Sequence, residues 1–427
     1  MMKIPADWKL CSLDEFIERL DAGVSVNSED VPASEGEWGV LKSSCASDGR
    51  FRPEENKRIL PEEIHRARVP VRENTIIISR SNTRELVGES ALINQDYPYL
   101  FHSDKLWQAI FRNDILFCPR WLSQVFISTE FRKQVGNLAT GTSGSMKNIS
   151  KEVFLSIEIP TPTFEEQKRI ADILMCWGKH IDQTENLIAA KTRFKRGLMQ
   201  QLLTGKKRFQ EFAGQEWKEQ KLSDIFERVK RRNDEGNKNV VTVSAQRGFV
   251  RQNEFFTKFV ASENLDDYFL VKKGEFCYNK SYTNDYAWGA TKRLKEFDKA
   301  VVTTLYICFK FKDETKHSGD FFEHFFEACA LDKGLSKIAH EGGRAHGLLN
   351  VTPTDFFTLK INIPSRNEQI AIAQVLQTAD KEIELLKKQL EALRKQKRGL
   401  MQKLLTGQIP VKVDDEQTAT SGVTQAL

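Results

Sequence analysis

The stretch KRGLMQQLLTG occupies residues 195–205, and KRGLMQKLLTG occupies residues 397–407. Ten of the eleven positions are identical, so an internal repeat is the first feature to explain. The offset of 202 residues continues without a gap toward the N-terminus of each copy. It relates Glu166-Gln167 to Glu368-Gln369, Pro162 to Pro364, Phe154 to Phe356 and Asn148 to Asn350. The chain is therefore a tandem duplication.

Each copy predicts one long helix that begins just after a proline. A hydroxyl residue followed three positions later by glutamate forms a capping box, in which the two side chains satisfy backbone NH groups at the helix start. The two boxes are Thr163 with Glu166 and Ser365 with Glu368. Each helix is expected to end at a glycine, Gly205 or Gly407, because glycine readily adopts the left-handed conformation that closes a helix. About forty residues between cap and glycine correspond to roughly 60 Å of helix.

The apolar residues of each predicted helix recur in alternating steps of four and three, which is typical of a coiled-coil seam. In the first copy they are Ile170, Leu174, Trp177, Ile181, Ile188, Leu198 and Leu202, interrupted by Thr184, Lys191 and Lys195. In the second copy they are Ile372, Leu376, Ala379, Ile383, Leu386, Leu390, Leu393, Leu400 and Leu404, interrupted by Lys397. Two matching seams in one chain are expected to pack against each other as an antiparallel pair. Two separate helices, each packed on its own domain, remain the alternative.

A fainter repeat opens each half of the chain, where Trp8-Lys9 matches Trp217-Lys218. Residues 74–81, NTIIISRS, also parallel residues 274–281, GEFCYNKS, as a strand that ends at a basic residue. The remaining interiors scarcely match, which indicates one scaffold that presents two different binding surfaces. We therefore predict an α+β fold of two globular recognition domains with an antiparallel pair of long coiled-coil helices between them. The predicted segments are 1–162 (first domain), 163–207 (first helix), 208–363 (second domain), 364–410 (second helix) and 411–427 (a disordered tail).

Composition places the chain among globular proteins of a reducing compartment. The 427 residues are 40% hydrophobic and 10% aromatic, and no window approaches the roughly 18 apolar residues of a membrane span. Seven scattered cysteines without a CxxC pair indicate reduced thiols, and the seven histidines contain no HExxH motif. We expect a cytoplasmic protein without a membrane partner or a metal site. The net charge of +5 is compatible with nucleic-acid binding but does not establish it.

The sequence carries no motif of a DNA-modifying enzyme that acts alone. It has no Asn-Pro-Pro-aromatic or Asp-Pro-Pro-aromatic tetrapeptide to hold a flipped base, no glycine-rich turn for a methyl donor and no P-loop. Residues 53–57, PEENK, lack the preceding aspartate of a nuclease site. No catalytic residue is therefore assigned. A coiled-coil adaptor that binds only protein stays open, although it would leave two domains with basic loops unexplained.

The repeated helix ends, each introduced by a proline and Glu-Gln and preceded by a domain of about 150 residues, resemble the specificity subunit of type I restriction-modification systems. Residues 102–106 (HSDKL) and the stretches 139–143 and 148–150 also resemble that family. The resemblance implies two target-recognition domains that each read one half of a split, asymmetric site in double-stranded DNA. It also implies that the helices space these domains and dock two methyltransferase subunits, to which restriction (motor-nuclease) subunits are added. The chain itself would bind no cofactor, whereas its partners would use S-adenosylmethionine, ATP and Mg²⁺.

Candidate DNA-binding residues form two clusters in each domain, because base edges and phosphates are contacted mainly by basic, amide and hydroxyl side chains on loops. In the first domain they are Arg80, Ser81, Asn82 and Arg84 after the strand, and Thr142, Ser143, Ser145 and Lys147 in a glycine-rich loop. In the second domain they are Tyr278, Asn279, Lys280, Tyr282 and Asn284 after the strand, and Arg344 and His346 where the first domain has its glycine-rich loop. Plain polar loops and a turn before a strand are the structural alternatives.

Two further features concern the surfaces beside these clusters. The basic run Arg228, Lys230, Arg231 and Arg232 is expected to lie on phosphates or to form a solvated helix end. Gly197 and Gly399 occupy equivalent positions inside the two predicted helices, where each costs about 1 kcal/mol relative to alanine. Such glycines indicate that another backbone or subunit approaches closely there.

Overall fold

The structure is a computed structural model, and it describes residues 4–141, 146–252, 265–341 and 348–412. Its contacts divide the chain into two units, Met1–Glu185 with Gln389–Leu427, and Asn186–Lys388. We call them unit 1 and unit 2. The division falls inside both long helices, so each unit holds one recognition domain and one segment of each helix.

The helices of the described residues are α1 (Pro119–Phe126), α2 (Thr129–Leu138), α3 (Lys151–Leu155), α4 (Phe164–Leu202), α5 (Leu222–Ile225), α6 (Gly319–Glu327), α7 (Asp332–Ile338), α8 (Pro353–Thr358) and α9 (Arg366–Leu404). The strands before α4 are β1 (Lys9–Ser12), β2 (Ile17–Ala22), β3 (Ser28–Glu29), β4 (Gly39–Leu41), β5 (Ala46–Ser47), β6 (Arg50–Phe51), β7 (Asn56–Ile59), β8 (Pro70–Val71), β9 (Ile76–Ser79), β10 (Ser81–Asn82), β11 (Ser90–Leu92), β12 (Tyr97–Phe101), β13 (Leu106–Phe111), β14 (Lys147–Asn148) and β15 (Glu158–Thr161). The strands after α4 are β16 (Lys218–Lys221), β17 (Phe226–Arg228), β18 (Val241–Ser244), β19 (Gly248–Arg251), β20 (Phe269–Lys272), β21 (Phe276–Asn279), β22 (Ala290–Arg293), β23 (Lys299–Val302), β24 (Ile307–Phe311), β25 (His340–Glu341), β26 (Leu349–Asn350) and β27 (Lys360–Ile363). Within the described part of the chain, none of the helices is both long and apolar enough to cross a membrane.

The recognition domain of unit 1 is organised around strand β9. Its antiparallel sheet has the order β11-β9-β13-β2, and a second sheet has the order β3-β7-β4-β12-β8. Ile76 and Ile78 pack into the main core with Trp107, whereas Ile77 packs into a second cluster on the opposite face. Alternate residues of a strand point to opposite faces, so a strand buried on both faces has a continuous apolar run. That is why this segment reads Ile-Ile-Ile.

The recognition domain of unit 2 repeats the four-stranded sheet in the order β17-β24-β21-β22. Tyr278 of β21 pairs with Ile307, as Ile78 pairs with Trp107 in unit 1. Phe276 and Tyr278 face the main core, whereas Cys277 faces a second cluster. The five-stranded sheet of unit 1 has no counterpart among the described residues of unit 2, where the hairpin β18-β19 and the pair β20-β23 are found instead. The shared sheet and the divergent second layer agree with one scaffold that carries two different surfaces.

In unit 1, the first half of α4 and the last turns of α9 belong to the core of the recognition domain. Ile170 and Leu174 from α4 join Leu404 from α9 in the same cluster as the sheet residues. Further along, Arg394 of α9 donates to Glu185 of α4 at 2.6 Å. Contacts between early residues of one helix and late residues of the other show an antiparallel arrangement.

In unit 2, the roles of the two helices are exchanged. Leu202 from the end of α4 joins Ile372 and Leu376 from the beginning of α9 in the core of the second domain. Lys191 pairs with Glu382 at 2.6 Å, and Lys195 pairs with Asp380. The predicted antiparallel pair is confirmed, and the alternative of two helices that each pack on one domain is wrong.

The predicted seam is not buried uniformly. Leu174, Ile181, Leu376 and Ile383 are buried. Ile170, Leu202, Ile372 and Leu404, near the helix ends, are buried as well. The predicted spacer residues Trp177, Ile188, Leu390 and Leu393 are only partly covered. The helices are therefore held most firmly where their ends enter the domain cores.

The two predicted capping boxes have different outcomes. The backbone NH of Thr163 donates to Glu166 at 3.0 Å, and the backbone NH of Glu166 donates to the Thr163 hydroxyl at 3.4 Å, so the first box is confirmed. The second is wrong, because among the described residues no hydrogen bond joins Ser365 to Glu368. The Glu368 carboxylate is buried and instead accepts hydrogen bonds from Arg208 Nε at 2.8 Å and from Arg208 Nη2 at 2.6 Å.

Both predicted closing glycines have the left-handed conformation, with φ of 70° at Gly205 and 69° at Gly407. Each is packed against the start of a recognition domain. A methyl group on Gly205 would lie 3.3 Å from the Trp217 ring, and one on Gly407 would overlap Pro5 and contact Trp8 at 3.6 Å. The close approach of these rings, together with the positive φ, explains why glycine stands at both positions.

Candidate nucleic-acid interface

The structure places the first predicted DNA-binding cluster of the first domain beside Lys147, the described member of the second cluster. Arg80 follows the last residue of β9, and the next strand, β10, pairs antiparallel with β14. Asn82 lies opposite Lys147 in this pairing. The backbone NH of Ile149 donates to the carbonyl of Arg80 at 3.1 Å, which fixes the two chain segments side by side.

The same arrangement recurs in the second domain. The backbone NH of Leu349 donates to the carbonyl of Lys280 at 3.0 Å, and Ser281 forms an isolated bridge with Leu348. An offset of 200 residues relates these contacts to those of Arg80 and Ile149. Thr142, Ser143 and Ser145, and in the second domain Arg344 and His346, lie outside the described residues.

The first domain offers Arg80 as its central cation. Arg80 is half-buried, and its Nε has no hydrogen-bond partner within the described part of the chain. Arg84 is exposed, and its Nη2 donates to Asn137 Oδ1 at 2.9 Å. Lys147 Nζ donates to the carbonyl of Gly141 at 2.9 Å. The Arg80 Nε is itself buried and would have to become exposed before it could donate to DNA. Arg84 and Lys147 would have to exchange an internal partner for DNA.

The other two predicted residues of the first cluster have internal contacts. Ser81 is buried in strand β10. Asn82 accepts a hydrogen bond from the backbone NH of Thr83 at 2.9 Å, and its amide lies 3.4 Å from the Ser79 hydroxyl. These contacts give Ser81 and Asn82 a part in shaping the turn that presents Arg80.

Tyr278 requires a correction, because it is only 1% exposed. Its hydroxyl donates to the carbonyl of Trp288 at 2.8 Å, and its ring stacks on Phe356 with 4.9 Å between the ring centroids. Burial raises the pKa of the Tyr278 phenol well above its ordinary value. A side chain in this position is part of the core and cannot contact DNA, contrary to the prediction from the sequence.

Asn279 is also occupied by the fold. Its side-chain amide donates to the carbonyl of Val243 at 2.8 Å, and its oxygen accepts the backbone NH of Ser281 at 3.0 Å. Gly289 packs so closely that a methyl group there would overlap the Asn279 carbonyl, and its φ is 79°. Asn279 thus positions the turn after β21 instead of offering a free amide to a base.

Lys280, Tyr282 and Asn284 are the members of the second cluster that solvent reaches. Tyr282 and Asn284 are exposed, and Lys280 is half-buried. Burial, together with the nearby positive charge of Arg228, lowers the pKa of Lys280. Two cations held near each other favour an anionic neighbour, as a phosphate backbone would supply.

One member of the basic run around residue 230, Arg231, is bound within the fold. Arg231 pairs with Glu275 at 3.0 Å and also donates to the carbonyl of Leu270. Arg232 lies 3.7 Å from the carboxylate of Asp267. Arg231 is therefore committed to the fold, and Arg228 contributes positive charge near Lys280. A phosphate contact by the other residues of the run stays a prediction.

The structure adds residues that the sequence did not single out. A cavity of about 410 Å³ lies beside Lys280, and its lining includes Thr303, Leu305, Tyr306 and Leu348. A leucine or threonine in a loop does not by itself predict a binding residue. Only the folded chain places these residues beside Lys280. Within the described residues, no group of histidine, cysteine and acidic side chains could hold a metal ion.

The long helices present a separate surface. A methyl group built on Gly197 or on Gly399 would meet nothing within 4 Å, so no part of the described chain explains the two glycines. In unit 2, the two helices also expose Leu187, Phe194 and Leu385. Exposed large apolar side chains and uncovered glycines on one helical pair are typical of a surface that contacts another protein.

Comparison with known proteins agrees with this geometry. The model of the family described as type I restriction modification DNA specificity domain matches residues 5–190 and 214–395. The chain is 24% identical over 450 residues to the type I restriction enzyme MjaVIII specificity subunit of Methanocaldococcus jannaschii, across 96% of this chain and 95% of that protein. It is also 24% identical over 437 residues to the putative type I restriction enzyme MjaX specificity subunit of the same organism, with the same two coverages.

Two solved structures have a similar fold. The type I restriction-modification S subunit from M. genitalium aligns over 97% of this chain and 99% of its own, with 15% identity and a TM-score of 0.55. A chain from a study of complex assembly and conformational transition of the type I system aligns over 95% of this chain and 100% of its own, with 14% identity and a TM-score of 0.56. The two family matches cover most of the sequence and coincide with the two repeated halves. The chain belongs to the type I restriction-modification DNA specificity family.

Proposed function

We propose that this chain selects the DNA sequence on which partner methyltransferase subunits, and through them restriction subunits, act. Its target is a bipartite, asymmetric site in double-stranded DNA, with one half read by each recognition domain. The observation that carries the proposal is the paired arrangement around Arg80 and Lys280. The same main-chain scaffold presents a half-buried cation in each domain, while the surrounding side chains differ.

Different surroundings are what an asymmetric target requires. Base edges in the major groove are distinguished by their donors, acceptors and methyl groups, so two domains with different side chains read different sequences. Arg80 in the first domain, and Lys280 with the neighbouring Arg228 in the second, supply positive charge for bases or phosphates. In the second domain, the exposed residues Tyr282 and Asn284 belong to the same cluster as Lys280.

We further propose that the long helices set the spacing of the half-sites and dock two methyltransferase subunits. Gly197 and Gly399 are equivalent in the repeat and uncovered in the structure, so they provide equivalent places for close approach by two copies of one partner. The chemistry is assigned to the partners, which use S-adenosylmethionine, ATP and Mg²⁺. This chain contributes recognition and assembly.

The proposal is tested by exchanging one recognition domain. Residues 1–162 are replaced with the corresponding segment of another family member, and methylated bases are mapped genome-wide in cells that also express the methyltransferase subunit. We expect one half-site to change and the other to stay the same. The wild-type chain and the reciprocal exchange of residues 208–363 are the controls. A change in both half-sites, or in neither, would contradict the modular model.

A further inference from the structure

The cavity beside Lys280 combines a cation with an apolar wall. Lys280 and Ser281 come from the turn after β21, Thr303 and Leu305 from the turn before β24, and Leu348 from the residue before β26. Leu305 is 59% exposed and Leu348 is 39% exposed. A single exposed leucine is common on protein surfaces. Two exposed leucines that line one cavity with a half-buried lysine indicate a surface that contacts a ligand.

The main chain fixes both leucines in place. Leu348 forms a bridge with Ser281, and the next residue, Leu349, donates its backbone NH to the carbonyl of Lys280. Leu305 lies in a tight turn, in which the backbone NH of Tyr306 donates to the carbonyl of Thr303 at 3.3 Å. The apolar wall is therefore built into the scaffold of the recognition cluster.

The first domain has the same turn with a different side chain. The backbone NH of Leu106 donates to the carbonyl of Ser103 at 3.1 Å, and Lys105 takes the place that Leu305 has in the second domain. The carbonyl of Lys105 accepts the backbone NH of Arg80 at 3.0 Å, which places this turn directly beside the central cation. A cation therefore stands in one domain at the position where the other domain has a leucine.

We propose that Leu305 and Leu348 read the C5 methyl group of a thymine in the second half-site. In the major groove thymine presents an acceptor and a methyl group, and apolar side chains recognise that methyl by contact. Lys280 supplies a donor next to it, for the O4 of the same base or for an acceptor of the neighbouring base. Phosphate oxygens offer no apolar surface that would favour two exposed leucines. The inference rests on the proposed function and deepens it by naming the base feature that is read.

The test removes only the methyl group. After the methylated site has been mapped, each thymine of the second half-site is replaced in turn with deoxyuridine in a synthetic duplex. Binding is measured with the complex of this chain and its methyltransferase subunits. We expect one position at which deoxyuridine weakens binding by wild type about fourfold, the effect of losing one buried methyl contact. The Leu305→Ala complex should lose that sensitivity at the same position.

Two further variants complete the experiment. Leu348→Ala should also reduce the effect of deoxyuridine, whereas Leu10→Ala, which removes a leucine of similar 54% exposure from unit 1, should retain it. A second half-site without thymine on either strand, wild-type binding that is insensitive to deoxyuridine, or sensitivity that persists in Leu305→Ala would each overturn the inference alone. A wild-type complex with no preference for the mapped site would overturn the proposed function as well.

Discussion

His102 is a buried histidine with only one satisfied ring nitrogen. Its Nδ1 lies 2.9 Å from the carbonyl of Val69, to which it donates, and its Nε2 is buried without a partner in the described part of the chain. A second proton on this ring would enter a buried site that offers no acceptor. Burial accordingly lowers the pKa of His102 to about 4.

This histidine should make the first domain sensitive to acid. Between about pH 6.5 and 4 the unfolded chain binds a proton that the folded chain does not, so the free energy of unfolding falls as the pH falls. The loss is on the order of 3 kcal/mol across that interval. Urea unfolding at pH 7 and at pH 4.5 should show a smaller difference for His102→Gln than for wild type.

The exposed His65 provides the matched control for that measurement. His65→Gln removes an exposed ring and leaves the His102 site intact, so it should retain the wild-type dependence on pH. If His102→Gln and His65→Gln behaved alike, the buried ring would not be the source of the acid sensitivity.

At the same scale, the sequence predicted which segments of a domain come together better than which of their side chains are exposed. Residue type does not distinguish an exposed tyrosine such as Tyr282 from Tyr278, whose hydroxyl finds a carbonyl inside the core. The sequence likewise predicted a free amide at Asn279, but in the structure this amide forms hydrogen bonds with the backbones of Val243 and Ser281. These partners are distant in the chain or depend on the turn geometry, so only the folded structure identifies them.

One pair of equivalent positions in the two long helices forms an ion pair in unit 2 but not in unit 1. The 202-residue offset relates Lys195 to Lys397 and Asp380 to Gly178. In unit 2, Lys195 pairs with Asp380. In unit 1, Lys397 faces Gly178, where a methyl group would lie 3.2 Å from its Nζ, and among the described residues it has no ion pair. Burial lowers the pKa of Lys397.

Gly178→Asp should give Lys397 the partner that Lys195 already has. We expect the free energy of unfolding to rise by about 1 kcal/mol, from the partly buried ion pair and from removal of a helical glycine. The measurement is denaturant unfolding in low and in high salt. The wild-type protein should also become more stable toward alkaline pH, since the unfolded chain holds the proton that Lys397 loses first, and the variant should show less of this trend.

Gly178→Ala separates the two contributions, because it removes the glycine without adding a charge. Its stabilisation should not depend on salt, whereas the additional gain of Gly178→Asp should shrink as salt rises. Equal stability of the two variants at every salt concentration would show that Lys397 does not use the new carboxylate.

Helix boundaries were the most predictable feature at this scale. The expected starts after Pro162 and Pro364 agree with α4 and α9 as observed, and both glycines close their helices. These signals are local in the chain. The second capping box failed because Arg208 reaches Glu368 across 160 residues, and a contact at that separation has no local signature.

For the whole molecule, continuous helices that enter both domain cores should act as spacers. Inserting one heptad after Glu185 and one after Lys388 lengthens each helix by about 10.5 Å at 1.5 Å per residue. We expect the unspecified gap between the half-sites to grow by about three base pairs, at 3.4 Å per base pair, with both half-sites unchanged. Methylome mapping measures the gap directly.

A heptad inserted into only one of the two helices is the control. It would shift Lys191 and Lys195 out of register with Glu382 and Asp380, or disturb the contacts between the helices in unit 1. This variant should impair assembly and should not give a new, defined gap between the half-sites. An unchanged gap in the double insertion would remove the spacer role from the proposal.

The repeat also predicted two domains of one architecture, and the shared four-stranded sheets agree with that prediction. It could not predict the second layer, which is a five-stranded sheet in unit 1 and separate strand pairs in unit 2. Those segments have diverged beyond internal comparison, and their pairings depend on contacts that periodicity does not encode.

The packing of Gly407 against Pro5 and Trp8 brings segments from opposite ends of the numbering together, just as Gly205 meets the neighbouring Trp217. Both helices thus end against a tryptophan at the start of a domain, but only the contact of Gly205 with Trp217 is spanned by a short stretch of chain. In a circularly permuted gene, a short linker would join residue 407 to residue 5, and the new ends would lie between residues 206 and 216. Its product would retain both contacts. Neither contact therefore requires the two domains to follow one another in their present order along the chain.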